Sequence, residues 1–418
     1  MRSDTSVFQA AKRQAGNSSS GQLRRRIGLL LLVLYGVGVT VGAGIYVLIG
    51  SVAGHAGINS PLAFGIAAIV MGLTVASYAE LCARFPVAAG EAAYVRAAFG
   101  SRVLSTITGG LMIATAVIAS AAVTLGSVGY LAQFLNLPKE LLIVVVIGGV
   151  SVVVAWGVLE SVLLASLFTL IEVGGLVAII VAAAWAGLPI GDALLAPPPA
   201  DLATVSGLFF ASLLAFFAFI GFEGLTNMVE ESHSPTRNVP LAMALTLIIT
   251  TALYVLVAAI AVTAVPLEKL ASSEAPLTIV FQNVAGMGAA VISAIAIGAT
   301  LNTIIAQMTM ASRVIYGMAR QGDLPSVLGA VHSTRGTPLV ATVAISLLVL
   351  ALALFIPFGR LAEFTSIATL IVFALVNASL LRLRLQRKNS TLGKSRVPIW
   401  VPLFGFISCI MMIGSSFF

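Results

Sequence analysis

The sequence predicts an all-α integral membrane protein, and three observations carry that prediction. Of its 418 residues 59% are hydrophobic and only 9% are charged, where a soluble domain carries about 25% charged residues. Apolar runs of roughly 18–25 residues recur along the whole chain, each long enough to cross a hydrocarbon core of about 30 Å as a helix. The basic residues are sorted between alternate loops: of 22 lysines and arginines, all but Lys139, Lys269 and Arg360 fall on the side that holds the amino terminus. Cytoplasmic loops carry such an excess. The net charge of +7 is therefore read as orientation in the cytoplasmic membrane, amino terminus inside, and not as a nucleic-acid surface.

Eleven spans follow in order. Residues 1–26 are a polar, basic cytoplasmic tail. The apolar run after them is too long for a signal peptide and has no small-residue cleavage site, so it stays as the first span, 27–50. Runs at 62–83, 103–134, 140–157 and 162–187 complete a first group of five, the third of them long enough to tilt or bend. Runs at 204–229, 240–264, 286–311, 339–357 and 362–381 make a second five, and a basic cytoplasmic loop at 382–398 leads to an accessory span at 399–418. Cys82 and Cys409 lie far apart, in or near apolar runs, and predict no disulfide. Three scattered histidines make no metal-ligand cluster, and no cofactor is implied.

The first span reads YGVGVTVGAGIYV over residues 35–47. A glycine costs about 1 kcal/mol relative to alanine in a helix interior, so Gly36, Gly38, Gly42 and Gly44 weaken this helix midway. Irregular backbone at membrane depth survives only where it is buried in protein or lines a wet cavity. Opening the chain over residues 39–44 would expose free amides and carbonyls there. Gly38 and Gly42 also have the spacing that serves close helix contacts, and packing alone is the competing reading. The sixth span weighs against it: FFAFIGFEGLTNMVEE, residues 216–231, places Gly221 and Gly224 around Glu223. Interruptions at matching positions of two five-helix groups, 27–187 and 204–381, point to an inverted repeat with substrate held between the broken helices.

The same stretches carry a resemblance. GVGVTVGAGIYV is similar to the first-helix signature of the amino acid/polyamine/organocation (APC) transporters, and SYAELCARFPVAAGEAAYVRAAFG, residues 77–100, resembles their second helix and following loop. FFAFIGFEGLTNMVEESHSPTRNVP, residues 216–240, resembles the sixth-helix motif and its loop, and SRVIYGMARQGDLPSVLGAVHSTRGTPLVA, residues 312–341, the eighth-to-ninth connection. The resemblance runs from about residue 27 to the end. It implies an amino acid permease with an inverted-repeat 5+5 (LeuT-like) core and discontinuous helices 1 and 6. It also implies twelve spans, where eleven are read.

A half-helix that begins after a break points free amides and a partial positive charge into the membrane centre, where a carboxylate fits. The opening spans Thr40, Val41, Gly42, Ala43 and Gly44; the amides of the last three are the candidates for the carboxylate. Carbonyls freed at Thr40, Phe217, Ala218 and Ile220 would accept from an ammonium group. The resemblance implies the same division of labour and makes Phe217 the aromatic gate over bound substrate. Thr124 and Asn302, with Thr115, Ser120 and Thr303, are candidates for selectivity; none is a carboxylate that counters a basic side chain, which favours neutral amino acids.

An intramembrane carboxyl is a functional candidate by default. Glu223, in the sixth span, and Glu172, within LFTLIEVGGL, are the candidates for coupling to a proton, with sodium as the other possible ion. Some members of the resembled family carry a lysine at the position of Glu172, so the sign is reversed here. Glu80, one turn from Arg84, is a candidate inner gate with Glu230, Glu231 and Arg313 nearby in the same reading. No nucleophile and base, and no metal cluster, are concentrated at one depth, which argues against an enzyme. The expected function is proton-coupled uptake of amino acids by alternating access. Exchange of one amino acid for another, or for an amine, is the alternative, with a channel or a non-transporting receptor behind it.

Overall fold

The computed structural model describes residues 27–42, 44–85, 90–156, 162–229, 231–286, 290–320, 322–331, 337–386 and 397–417, with backbone alone for 162–165 and 227. Every regular element among them is helical. The first span is two helices, α1 (Leu29–Val41) and α2 (Gly44–Ala56), followed by α3 (Ser60–Arg84), a connecting helix α4 (Gly90–Phe99), α5 (Arg102–Leu131), α6 (Lys139–Trp156) and α7 (Val162–Trp185). The second group opens with α8 (Leu202–Phe217), a 3-10 turn at Phe222–Met228 and α9 (Pro235–Ala264). It continues with a connecting helix α10 (Pro276–Ala285), α11 (Ala290–Arg320), α12 (Leu339–Phe355) and α13 (Phe358–Gln386), and α14 (Trp400–Gly414) follows, ending in a 3-10 turn at Ser415–Phe417.

Each of the eleven predicted spans is met by helix, the first by α1 with α2 and the sixth by α8 with the 3-10 turn. Nine helical stretches among the described residues are long and apolar enough to cross a membrane, α2 and α3 running on as one stretch of 41 residues. Three expectations are corrected. The eighth span, placed at 286–311, begins at Ala290 and runs to Arg320, because its basic, polar end still continues the helical pattern. The first span extends beyond residue 50 to Ala56. The sixth does not resume as an α-helix after its interruption but passes through the tighter 3-10 turn.

The core positions the interruptions. α3 packs along α9, α5 along both α11 and α13, and α1 between α7 and α9. The outward faces of α6 and α12 are apolar: Val145 and Val152 on one, Leu347 and Leu348 on the other, are each more than half exposed. A soluble protein rarely shows such a surface; hydrocarbon makes it favourable. Polar side chains lie inside instead, where serine and threonine hydroxyls bond back to the carbonyl four residues earlier, as Thr250 does to Thr246 at 2.8 Å and Thr365 to Leu361 at 2.8 Å.

The accessory helix α14 docks by a polar cluster. Asn377 on α13 donates to Thr74 on α3 at 3.0 Å and accepts from Ser77 at 2.6 Å, and Thr74 lies 3.9 Å from Cys409 on α14. Gly405 lets α14 approach, since a β-carbon there would stand 2.6 Å from Asn377 Oδ1. Overpacking costs about 1–3 kcal/mol, so Gly405→Val is expected to lower the melting temperature of the purified protein by several degrees. An unchanged melting curve would mean that α14 is not held by this cluster.

Candidate functional site

The helix 1 break is short. α1 keeps its last regular bond, Gly42 N–H to Gly38 O at 3.0 Å, but Gly42 has φ 3° and ψ −107°, and helix resumes at Gly44. Ala43, the middle of the predicted carboxylate cradle, lies outside the described residues. The helix 6 break is longer. Past Phe217 the amides of Ala218, Phe219 and Ile220 bond three residues back, at 3.0, 3.0 and 3.1 Å, and Gly221 turns the chain with φ 126°. That left-handed value suits glycine and strains other residues.

The two breaks meet back to back. A β-carbon at Gly44 would lie 2.5 Å from Ala218 Cα, and one at Gly221 would lie 2.6 Å from Val39 O. Tyr254 on α9 joins them: its hydroxyl lies 2.8 Å from both the Thr40 and the Ala218 carbonyl oxygens. These are two of the carbonyls that helix interruption releases, and lipid offers them no donor. Sequence reading missed Tyr254, because a lone tyrosine in an apolar run carries no sign of a partner 214 residues away.

Beside this junction is a cavity of about 10 Å³ lined by Val39, Thr40, Gly44, Phe217, Ile220 and Thr303, with Ala119, Val123 and Gln307 completing the wall. Such a volume admits about one water, so these walls must part for an amino acid to enter. Four predicted site residues, Thr40, Gly44, Phe217 and Ile220, are thus brought together. Val41 is wholly buried, Ala218 backs onto Gly44, and Gly42 faces Thr303, whose Oγ1 would be 2.3 Å from an added β-carbon. The glycines therefore have a packing role in this conformation. Gly38 does as well, against Thr169 on α7, whose hydroxyl donates to Leu34 O at 3.1 Å.

The selectivity candidates divide. Thr124 is buried and its hydroxyl bonds within its own helix, to Ser120 O at 2.8 Å. Thr303 and Gln307, rather than Asn302, face the cavity. Asn302 is instead the polar neighbour of Glu172. Glu172 is 1% exposed, and neither of its carboxyl oxygens has a partner at hydrogen-bond distance. Its backbone oxygen accepts from the Tyr46 hydroxyl at 2.6 Å, and the Tyr46 backbone carbonyl accepts from the Tyr130 hydroxyl at 2.5 Å. The two hydroxyls, each on a backbone carbonyl, tie α7 and α5 to α2 just after the break.

Glu223 is more engaged. One of its oxygens accepts the Gly221 amide at 2.8 Å, so the carboxyl caps a donor that the break leaves free. Glu80 accepts from Arg84 on its own helix, from Arg384 on α13 and from the Val397 amide at 3.1 Å. It is 3% exposed and clamps α3 to α13 and the approach to α14, away from the residues that line the cavity. Of its supposed companions, Glu230 lies outside the described residues and Glu231 contributes its backbone, accepting from Ile27 N–H at 3.1 Å.

A larger cavity, about 480 Å³, opens where Lys139 and Glu274 pair at 2.5 Å, with Ser51, Glu140, Ser273 and Phe355 among its walls. Its charged rim belongs to the side read as outside.

Comparison with known proteins places this architecture. The amino acid permease family model matches residues 27–418. The chain is 28% identical over 427 residues to the branched-chain amino acid permease of Bacillus subtilis, covering 96% of this chain and 90% of that one. It is 31% identical over 394 residues to the vacuolar cationic amino acid transporter 2 of Arabidopsis thaliana, covering 88% of this chain but spanning only 61% of that relative's length. It is 32% identical over 400 residues to an uncharacterised transporter of Mycobacterium tuberculosis, covering 94% and 86%. A multi-pass helical bundle whose first and sixth spans are both interrupted, and which aligns with permeases almost end to end, belongs to the amino acid permease family.

Proposed function

We propose that this permease takes up neutral amino acids by alternating access, driven by protons, across the cytoplasmic membrane with its amino terminus inside. The observation that carries the reading is the meeting of two helix breaks at one small cavity. In the proposed cycle residues 27–187 and 204–381 act as inverted repeats and rock about that junction. The substrate carboxylate binds the amides at Ala43 and Gly44, the predicted Gly42 amide being held instead by Gly38 O at 3.0 Å, and its ammonium replaces the Tyr254 hydroxyl at the Thr40 and Ala218 carbonyls, with Phe217 and Ile220 closing the pocket. Val39, Ala119, Val123 and Ile220 give the cavity apolar walls. A pocket of that kind suits an uncharged side chain, since a cationic one would be desolvated without a counter-charge. Glu172, enclosed and without a bonded partner, is the proposed proton or cation site, and Glu223 the second coupling carboxyl.

Purified protein in liposomes tests this with radiolabelled leucine and arginine as probes of the two substrate classes. Counterflow of leucine at several times the rate of arginine is the expected result. Faster arginine counterflow would overturn the neutral-substrate assignment, and no counterflow of either would retire transport of both classes. Accumulation of leucine under an inward proton gradient is expected as well; counterflow without accumulation would identify an exchanger.

A further inference from the structure

Glu91 has no part in the amino acid site, yet among the described residues it is one of the most enclosed charged side chains. It stands in the first turn of α4 and is 1% exposed. One oxygen accepts from the Tyr78 hydroxyl at 2.9 Å, and the other has no partner. The Tyr78 ring packs edge-on to Phe222, centroids 5.3 Å apart, which puts it next to Glu223 in the chain, and α4 itself packs on the Phe222–Met228 turn. Glu91 and Glu223 are thus linked by one run of contacts, from the Glu91 carboxyl through the Tyr78 hydroxyl and ring to Phe222 and its chain neighbour.

Among the described residues, no positive charge pairs with either carboxyl. The other ionisable groups near Glu91 are Cys82 and Tyr94, bonded to each other at 3.1 Å. On α13, Arg382 stacks over Phe99 and Arg384 pairs with Glu80. On α5, Arg102 pairs with Asp323 at 2.7 Å; on α3, Arg84 pairs with Glu80; Arg96, on α4 itself, is exposed. Burial pushes the Glu91 carboxyl above its ordinary range. Two carboxyls sharing a site without a cation do not both ionise readily, and such groups titrate as a pair.

We propose that Glu91 and Glu223 share one proton, and that Glu91, from the connecting helix, sets the pH range over which the sixth-helix carboxyl carries the coupling proton. The inference rests on the proton-coupled reading above and adds a residue to it. The proton forms an O–H bond with either carboxylate and leaves to water when the pair is hydrated; no other bond changes. Glu91 is thus a positioning residue for charge, with Tyr78 fixing its orientation.

Glu91→Gln removes the repulsion between the two carboxylates, so Glu223 gives up its proton at lower pH. The alkaline limb of proton-driven leucine uptake is expected to move toward acid by about one unit, a tenfold change in proton affinity, while leucine counterflow stays within about twofold of wild type. Glu91→Asp is expected to restore most of the profile. If wild type accumulates leucine and Glu91→Gln does so with an unmoved pH profile, the pair is overturned and the proton-coupled reading stands. If wild type exchanges but does not accumulate, proton coupling fails and the pair's role with it. A second measurement covers the case in which Glu91→Gln does not fold. Infrared spectra of Glu172→Gln in heavy water are expected to show a protonated carboxyl band at neutral pH that disappears in alkali, and its absence would overturn the shared proton.

Discussion

Gly221→Ala is expected to reduce leucine counterflow by about thirtyfold per folded molecule. Two costs act at that residue. Its φ of 126° is one that L-residues rarely adopt, and such strain costs about 1–3 kcal/mol. The added β-carbon would also stand 2.6 Å from Val39 O, which is backbone of the other broken helix and cannot rotate away. Taking about 2 kcal/mol against the transport-competent junction, and tenfold per 1.4 kcal/mol, gives that factor. Gly224→Ala is the matched control: its nearest neighbour would be the Tyr35 hydroxyl at 3.6 Å, an ordinary contact. It is expected to transport within about twofold of wild type. Equal activity in both variants would mean that the junction of the breaks does not govern transport.

The second large effect is expected from Glu172→Gln. A proton gradient of one pH unit corresponds to about 1.4 kcal/mol, so a carrier that moves one proton with each leucine concentrates leucine about tenfold. Glutamine keeps the shape of the side chain and cannot take a proton. In Glu172→Gln liposomes the accumulation ratio is expected to fall to about one, with counterflow retained, because exchange needs no net proton movement. A variant that still concentrates leucine tenfold would remove Glu172 from the coupling.

How much of this was legible in the sequence depends on the range of the signal. Apart from the far ends of the first and eighth, the spans were read to within about five residues, because hydropathy is local and lipid demands long apolar helices. The breaks were legible for a similar reason: Gly42, Gly44 and Gly221 stand within apolar runs where glycine is otherwise unfavourable. What the glycines face was not legible. Gly44 meets Ala218 and Gly221 meets Val39, pairings set by how two distant segments cross. Tyr254 and Gln307 were missed on the same ground, as each acts on groups far off in sequence. Glu80 was read as a gate from its neighbour Arg84, but its decisive partner is Arg384, 304 residues away. Glu91 was passed over because α4 is too short and too polar to register as a span, although that shortness lets it tuck against the sixth-helix turn.

In the proposed cycle the amino acid is held by backbone at the junction of the two breaks. A density map of the protein with bound leucine tests it most directly. The carboxylate is expected at the amides of residues 43 and 44 and the ammonium at the carbonyls of Thr40 and Ala218, with the Tyr254 hydroxyl displaced. Leucine seated only in the outer cavity beside Lys139 and Glu274, with the Thr40 and Ala218 carbonyls still bonded to Tyr254, would contradict it.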